Sequence, residues 1–375
     1  MPFTFSPLMS LGLGTLMFAT ALLLALAIDH CLGEPAARWH PVVWMGNYLG
    51  WTGRRLAPLA HATPAAAAKE AQTSPDLKRF WLGALMWCSG AAIVCVAAWA
   101  LQEGLLTLPA VLGPLWGGVL AALGLGLALK PLLAWAMLRS EVLAVEAALN
   151  PTQGGSLAAG RERLSWLVSR DVTHLTEAQV RESAIETLAE NLNDSVVAPI
   201  FWFVLLGLPG AALYRFANTA DAMWGYPGVY QGRNWQWAGK WAARADDVLS
   251  WIPARITACL LVAVCWLQTL ASTQPQPIDA VSTQHAGPEA AFVMARLPEE
   301  ARRTPSPNSG WPMAAMALAL DVSLHKPGVY VLNAAGRAPQ PQDTRRAIVY
   351  ASKVLLALVF IAQAAIIFVA VWRVA

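Results

Sequence analysis

Charge is what this 375-residue sequence has least of. Asp, Glu, Lys and Arg make up 13% of it, against about 25% in soluble domains. So few charges cannot clothe a water-facing surface of ordinary size, which excludes a soluble globular protein. The balance is also slight, a net +3, and no basic run interleaved with aromatics occurs, so nucleic acid is not an expected partner. Cysteine is scarce. None of the five has C-x-x-C spacing, so neither a disulfide framework nor a zinc site is expected. Cys88, Cys95, Cys259 and Cys265 fall inside apolar runs and read as small core residues, and Cys31 follows the first run. No G-x-x-x-x-G-K-[ST] loop, G-x-G-x-x-G fingerprint, G-x-S-x-G elbow or kinase set occurs, so any nucleotide binds outside the common motifs. No charge precedes the first apolar run and no cleavage site follows it, which favours a transmembrane helix over a signal peptide.

What the sequence has instead is apolar length. Hydrophobic residues make up 57%, and the mean hydropathy is +0.46. Runs at about 11–28, 81–101, 113–137, 252–271 and 354–372 approach or reach spanning length. A sixth, 196–213, is interrupted by Gly207, Pro209 and Gly210 and either crosses or dips in as a re-entrant helix. The expected fold is an all-α, polytopic integral membrane protein with five to six transmembrane or re-entrant helices. Amphipathic helices would carry a polar site at its cytoplasmic face. Eighteen tryptophans, many near the ends of apolar runs, suit interfacial belts, and Lys and Arg in the loops 29–80 and 138–195 put those loops on the cytoplasmic side. The chain reads as one domain over 1–375, with a flexible Ala/Pro/Thr-rich insert at 61–76 and an irregular Pro-rich connection at 272–305. Gly113, Gly117 and Gly124 are expected to let the third span pack closely on a neighbour.

Polar residues gather in a few stretches. Glu182–Asp194 reads E-S-A-I-E-T-L-A-E-N-L-N-D. Ile185, Leu188, Ala189, Leu192 and Val196 form an apolar stripe, with Glu186, Glu190, Asn193 and Asp194 opposite. That face has no Lys or Arg at i+4 and abuts a membrane-length run. It is therefore a candidate oxygen-ligand site for Mg²⁺ and its phosphates as well as an ordinary solvated face. Asp29, Glu34 and His40 stand in D-H-x2-G-E-P-x4-H-P-x4-G, either a turn at a helix end or a polar wall for an anionic or amide-rich ligand. Arg170, in S-R-D-V, belongs to the residue type that grips carboxylate or phosphate. Arg215, Asn218 and Asp221 share a helix side in Y-R-F-A-N-T-A-D, facing either water or a ligand. Lys240, Arg244, Asp246 and Asp247 follow; the paired aspartates either ligate a metal or begin a helix. Ser306, Asn308 and Ser309, in S-P-N-S-G-W-P, make a turn or cradle an anion on backbone N–H groups.

Taken together and in this order, these blocks, with A-I-E-T-L-A-E-N-L-N-D-S-V-V-A-P-I-F-W and W-A-A-R-A-D-D-V-L-S-W-I-P-A-R, resemble those of the CobD/CbiB family from residue 29 to about 320. The resemblance implies an ATP- and Mg²⁺-dependent adenosylcobinamide-phosphate synthase in the inner (plasma) membrane. Such an enzyme joins adenosylcobyric acid to (R)-1-aminopropan-2-ol phosphate, through an acyl phosphate. It further implies catalytic roles for Glu186, Glu190, Asp221 and Arg170, and metal ligation by Glu190, Asp194, Asp246 and Asp247. Substrate or ATP would be bound by Asp29, Glu34, His40, Asn191, Arg215, Asn218, Lys240, Arg244, Ser306, Asn308 and Ser309. Glu186 and Asp221 are the first candidates for the base. Expected partners are membrane lipid, other late cobalamin-assembly membrane enzymes and, as an open option, a second copy of the chain. A non-catalytic AmpE-like sensor and a corrinoid transporter are the competing readings.

Overall fold

The computed structural model describes residues 7–60, 75–272 and 290–372. In chain order the helices are α1 (Pro7–Leu32), α2 (Pro41–Leu56), α3 (Leu77–Leu106), α4 (Leu108–Leu112), α5 (Pro114–Leu129), α6 (Trp135–Leu149) and α7 (Leu157–Leu164). They continue with α8 (Glu177–Leu192), α9 (Ala198–Trp224), α10 (Lys240–Ser272), α11 (Ala290–Ala301), α12 (Gly310–Leu320) and α13 (Pro341–Trp372). The only sheet among the described residues is two antiparallel hairpins, β1–β2 (Val229–Tyr230, Arg233–Asn234) and β3–β4 (Leu324–Lys326, Tyr330–Leu332). Among the described residues six helical stretches are long and apolar enough to cross a membrane: Gly12–Leu32, Leu77–Leu112, Pro114–Leu149, Glu177–Trp224, Lys240–Leu270 and Pro341–Val369. The all-helical, polytopic expectation therefore holds.

Two compact units divide the chain. The first comprises Met1–Ala134, Ala198–Leu249 and Ala362–Ala375, the second Trp135–Val197 and Ser250–Ile361. In the first, α1 packs on α5 through small residues. A Cβ on Gly126 would lie 2.9 Å from that of Leu24, so two backbones meet where hydrophobic transfer gives no drive between helices and close packing must. Gly113 serves differently from Gly117 and Gly124: its φ of +84° turns the chain into α5. The third apolar run is also interrupted, because α5 ends in a short 3₁₀ turn, Lys130–Leu132, ahead of α6.

The interrupted run breaks where its glycines and proline predicted. Gly207 has φ +67° and ψ −155° inside α9, a conformation essentially reserved for glycine. Behind the break, the N–H of Leu208 donates to Gln102 Oε1 on α3 at 2.8 Å. A side chain from a neighbouring helix thus satisfies a backbone group that has no helical acceptor. Of the four cysteines expected in the core, only Cys265 is buried; Cys95 is half-buried and Cys88 and Cys259 are exposed, as is Cys31. The insert at 61–76 lies outside the described residues except for its last two positions, as do residues 273–289 of the connection. Between Ala290 and Ala301 that connection is helical, not irregular. Val293, Leu297 and Ala301 bury one face of α11, and Glu300 holds both Arg296 (2.9 Å) and the N–H of Asn333 (2.8 Å).

Replacing Gln102 with Leu leaves the Leu208 N–H buried and unmatched, and should lower stability by about 1–3 kcal/mol. Gly207→Ala adds a clash with Gln102 and a backbone strain of order 1–3 kcal/mol. Unfolding in detergent checks both; a Gln102→Leu protein as stable as the parent would show that the break needs no side-chain partner.

Candidate functional site

In the second unit the acidic stretch is carried by α8. Its start is fixed by a capping box, in which Thr176 Oγ1 accepts from the N–H of Gln179 and Gln179 Oε1 accepts from the N–H of Thr176. The helix packs against α6, α7, α12 and β3, which shuts the part of its polar face at Glu182 and Glu186 off from water, at 3% and 2% exposed. Each buried charge has a partner. Arg181 is bound by Glu146 through Nε (3.0 Å) and Nη2 (3.0 Å) and by Glu177 (2.7 Å). Thr344 Oγ1 donates to Glu146 as well, at 2.8 Å. Glu186 pairs with Arg170 Nη2 at 2.7 Å, and Glu182 contacts Nδ1 of His325 on β3. Tyr330 on β4 closes the cluster. Burial and the carboxylates of Glu186 and Glu190 push its phenol pKa up, so it stays a neutral donor.

This arrangement leaves capacity unused. Among the described residues, Glu186 Oε1 and Arg170 Nη1 are buried without a hydrogen-bond partner, and such orphans call for an explanation. The loop that delivers Arg170 is shaped by Asp171, whose Oδ1 accepts from Thr173 Oγ1 (2.7 Å) and from the Thr173 N–H (2.9 Å). Those two bonds also hold the Asp171 carboxyl below its usual range. Beyond Glu186, Glu190 and Asp194 lie half-buried on the same helical path. The helix there loosens into a π turn, Asn193–Val197, a feature frequent at functional sites. Asn193 Nδ2 donates to Asp194 Oδ1 (2.8 Å), and its Oδ1 accepts from Thr257 (3.1 Å), so Asp194 is aimed by a buried amide. Asn191 bonds back to the carbonyl of Thr187. In the turn before α12, Ser306 Oγ accepts from the N–H groups of Asn308 and Ser309, both at 3.2 Å, and Asn308 Oδ1 accepts from Arg255 at 3.0 Å. The backbone N–H groups expected as an anion cradle are therefore engaged in the turn itself.

The first unit holds a second cluster. Lys130, 3% exposed, places Nζ 2.8 Å from Glu34 Oε2 and 3.4 Å from Asp29 Oδ1. His40 caps α2, its Nδ1 accepting from the N–H of Val42 (3.2 Å), so its proton sits on Nε2, which lies 3.1 Å from Glu34. The flanking residues Trp39, Pro41 and Pro131 line an apolar cavity of about 470 Å³. An apolar wall beside a charged group suits an amphipathic ligand. Arg215, Asn218 and Asp221 are half-buried along one side of α9 as expected. Lys240 stacks 4.2 Å from the ring of Trp237, Arg244 is exposed, and Asp246 and Asp247 are half-buried on α10.

The structure thus brings together Asp29, Glu34 and His40, and Arg170 with Glu186. It adds Lys130, Glu182, His325 and Tyr330, which sequence reasoning left out. Lys130 was findable as a lone charge within an apolar run; His325 and Tyr330 carry no motif and arrive through the hairpin. Among the described residues no group of three His, Cys, Asp or Glu forms a metal cage. Glu190 and Asp194, one turn apart, fit an ion that takes the rest of its shell from phosphate oxygens and water, as Mg²⁺ usually does.

Comparison with known proteins agrees with the order of these blocks. The family described as CobD/Cbib protein matches residues 22–361. The chain belongs to the CobD/CbiB family. It is 38% identical over 317 residues to the probable cobalamin biosynthesis protein CobD of Methanothermobacter thermautotrophicus, covering 84% of this chain and 86% of that one. It is 34% identical over 316 residues to the cobalamin biosynthesis protein CobD of Yersinia enterocolitica, covering 84% of each. No solved structure matches the chain. As a CobD/CbiB protein with six apolar helices of spanning length, it is a multi-pass membrane protein of a cobalamin-biosynthesis family.

Lys130→Met removes the counter-charge of the buried Asp29 and the half-buried Glu34 and should cost about 3–5 kcal/mol. Adding Asp29→Asn should restore part of that loss. Unfolding of the single and double variants in detergent checks the coupling, and simple additivity would show that Lys130 and Asp29 do not act as a pair.

Proposed function

We propose that this protein is an ATP-dependent acid–amine ligase that joins adenosylcobyric acid to (R)-1-aminopropan-2-ol phosphate, giving adenosylcobinamide phosphate. The observation that carries the reading is the family match over residues 22–361. The buried Arg170–Glu186 pair, with one atom of each left unmatched, supports the chemistry. A carboxylate is a poor acyl donor, and transfer of the γ-phosphoryl of ATP to it gives an acyl phosphate and ADP. Attack by the amine then expels phosphate and forms the amide. Arg170, held by Glu186, presents a fixed cation to a phosphoryl group whose charge develops during transfer. Mg²⁺, when bound, neutralises phosphate charge, and Glu190 and Asp194 would hold it. Tyr330, kept protonated, donates a hydrogen bond.

In this reading Asp29, Glu34 and His40, with Lys130, form a polar wall for substrate next to an apolar cavity, and Arg215, Asn218 and Asp221 present a further polar face on α9. Lys240 and Arg244 contribute positive potential. The polar clusters face the cytoplasm from the inner membrane, where ATP and corrinoid are supplied.

Detergent-purified protein given adenosylcobyric acid, Mg²⁺-ATP and aminopropanol phosphate should yield a corrinoid heavier by the amino alcohol phosphate minus water, with one ADP per amide. Glu190→Ala and Asp194→Ala should each lower that rate by about 10²-fold or more. Corrinoid binding without mass change or ADP, in folded protein, would overturn the ligase reading.

A further inference from the structure

Amide formation requires the incoming ammonium to lose a proton, and the acidic helix does not by itself offer a group suited to take it. Glu186 is committed to Arg170 at 2.7 Å. That ion pair ties the carboxylate to a permanent cation rather than to an incoming ammonium. An imidazole lies within the same cluster. His325 is 30% exposed at its side chain, and its Nδ1 contacts Glu182, which is 4% exposed. Its Nε2 lies 3.3 Å from Nε2 of Gln179.

The tautomer follows from the capping box. Gln179 Oε1 is fixed as the acceptor of the Thr176 N–H at 2.8 Å, so the atom facing His325 is the amide NH₂, a donor only. His325 Nε2 must accept there, and the proton resides on Nδ1, the ring nitrogen in contact with Glu182. A buried carboxylate on Nδ1–H with a lone pair on a partly exposed Nε2 is the arrangement in which an acid orients an imidazole as a general base. We propose that His325, oriented by Glu182, is the base that deprotonates the amine substrate. The proposal rests on the ligase reading above.

The step balances. The R–NH₃⁺ group gives one proton to His325 Nε2, displacing the amide of Gln179 as its donor. The freed lone pair forms the C–N bond, the bond from the acyl carbon to the phosphate oxygen breaks, and the second proton leaves with the phosphate as HPO₄²⁻. Burial pushes the Glu182 carboxyl up to about 8, and the imidazolium that forms beside it favours its ionised form. Other charged or titratable groups near this pair are Glu186 and Arg170, which act electrostatically on Glu182, Tyr330 and Glu190 beyond them, and Lys326 next to His325 on β3.

The test separates the two half-reactions in full-length protein. Wild type is assayed first for amide by corrinoid mass; absence of amide there removes the ligase reading and the base with it. With wild type active, His325→Gln should slow amide formation about 10²–10⁴-fold. ADP release and hydroxylamine-trapped acyl phosphate should continue near the wild-type rate, and the fall in rate toward acid pH expected of the wild type should be absent. His325→Ala should regain amide formation with added imidazole, a response that structural damage does not produce. Amide formation in His325→Gln at the wild-type rate with the acid limb intact overturns the proposal. So does loss of both half-reactions in His325→Gln combined with no imidazole rescue of His325→Ala.

Discussion

An ion carried into an apolar interior must find its opposite there, and this constraint organises both polar clusters. Desolvating a single carboxylate or ammonium costs several kcal/mol, so a chain poor in charge does not bury one without a structural consequence. On α8 the consequence is a set of pairs that reach out to other elements: Arg181 to Glu146 on α6, Glu182 to His325 on β3, and Glu186 to Arg170 in the preceding loop. Each pair fixes a neighbour to the helix, and together they set which polar atoms remain for a ligand. Lys130 does the same in the first unit, where its ammonium joins the end of α1 to the turn before α2.

The backbone obeys the same accounting. Where α9 breaks at Gly207, the N–H of Leu208 is taken by Gln102, and where the helix loosens at Asn193, that residue's amide ties Thr257 to Asp194. Both irregularities sit within the stretch that leads from the acidic helix into the apolar helix α9. A regular helix would have needed neither glutamine nor asparagine, and would have aimed Asp194 differently.

Much of this was readable from sequence. The apolar runs gave the spans, Gly207, Pro209 and Gly210 marked the break, and the absence of Lys or Arg along Glu182–Asp194 made that face a candidate site beside the solvated reading. Local pattern does not encode what long-range packing adds. His325 and Tyr330 reach α8 only because the β3–β4 hairpin folds back on it, and Lys130 meets Asp29 about a hundred residues away in sequence, as buried ion pairs commonly do. Proline misled in one place. Pro298 suggested an irregular connection, yet the four-residue spacing of Val293, Leu297 and Ala301 outweighed it, because burying that face stabilises α11 more than one lost N–H weakens it.

The distribution of charge also bears on how catalytic labour is divided. Four acidic residues follow one another at four-residue intervals along Glu182, Glu186, Glu190 and Asp194, which invites the view that they are interchangeable ligands. Their partners differ, and partners decide chemistry. Glu182 faces an imidazole and is suited to orient it. Glu186 faces a guanidinium and is suited to hold it, while Glu190 and Asp194, half-buried, keep the access an ion would need. A single helical face thereby presents distinct environments in succession, because successive turns of α8 meet different neighbours. The specificity of each carboxylate thus comes from elements distant in sequence, and a substitution on β3 or in the Arg170 loop alters the acidic helix as directly as one on the helix itself.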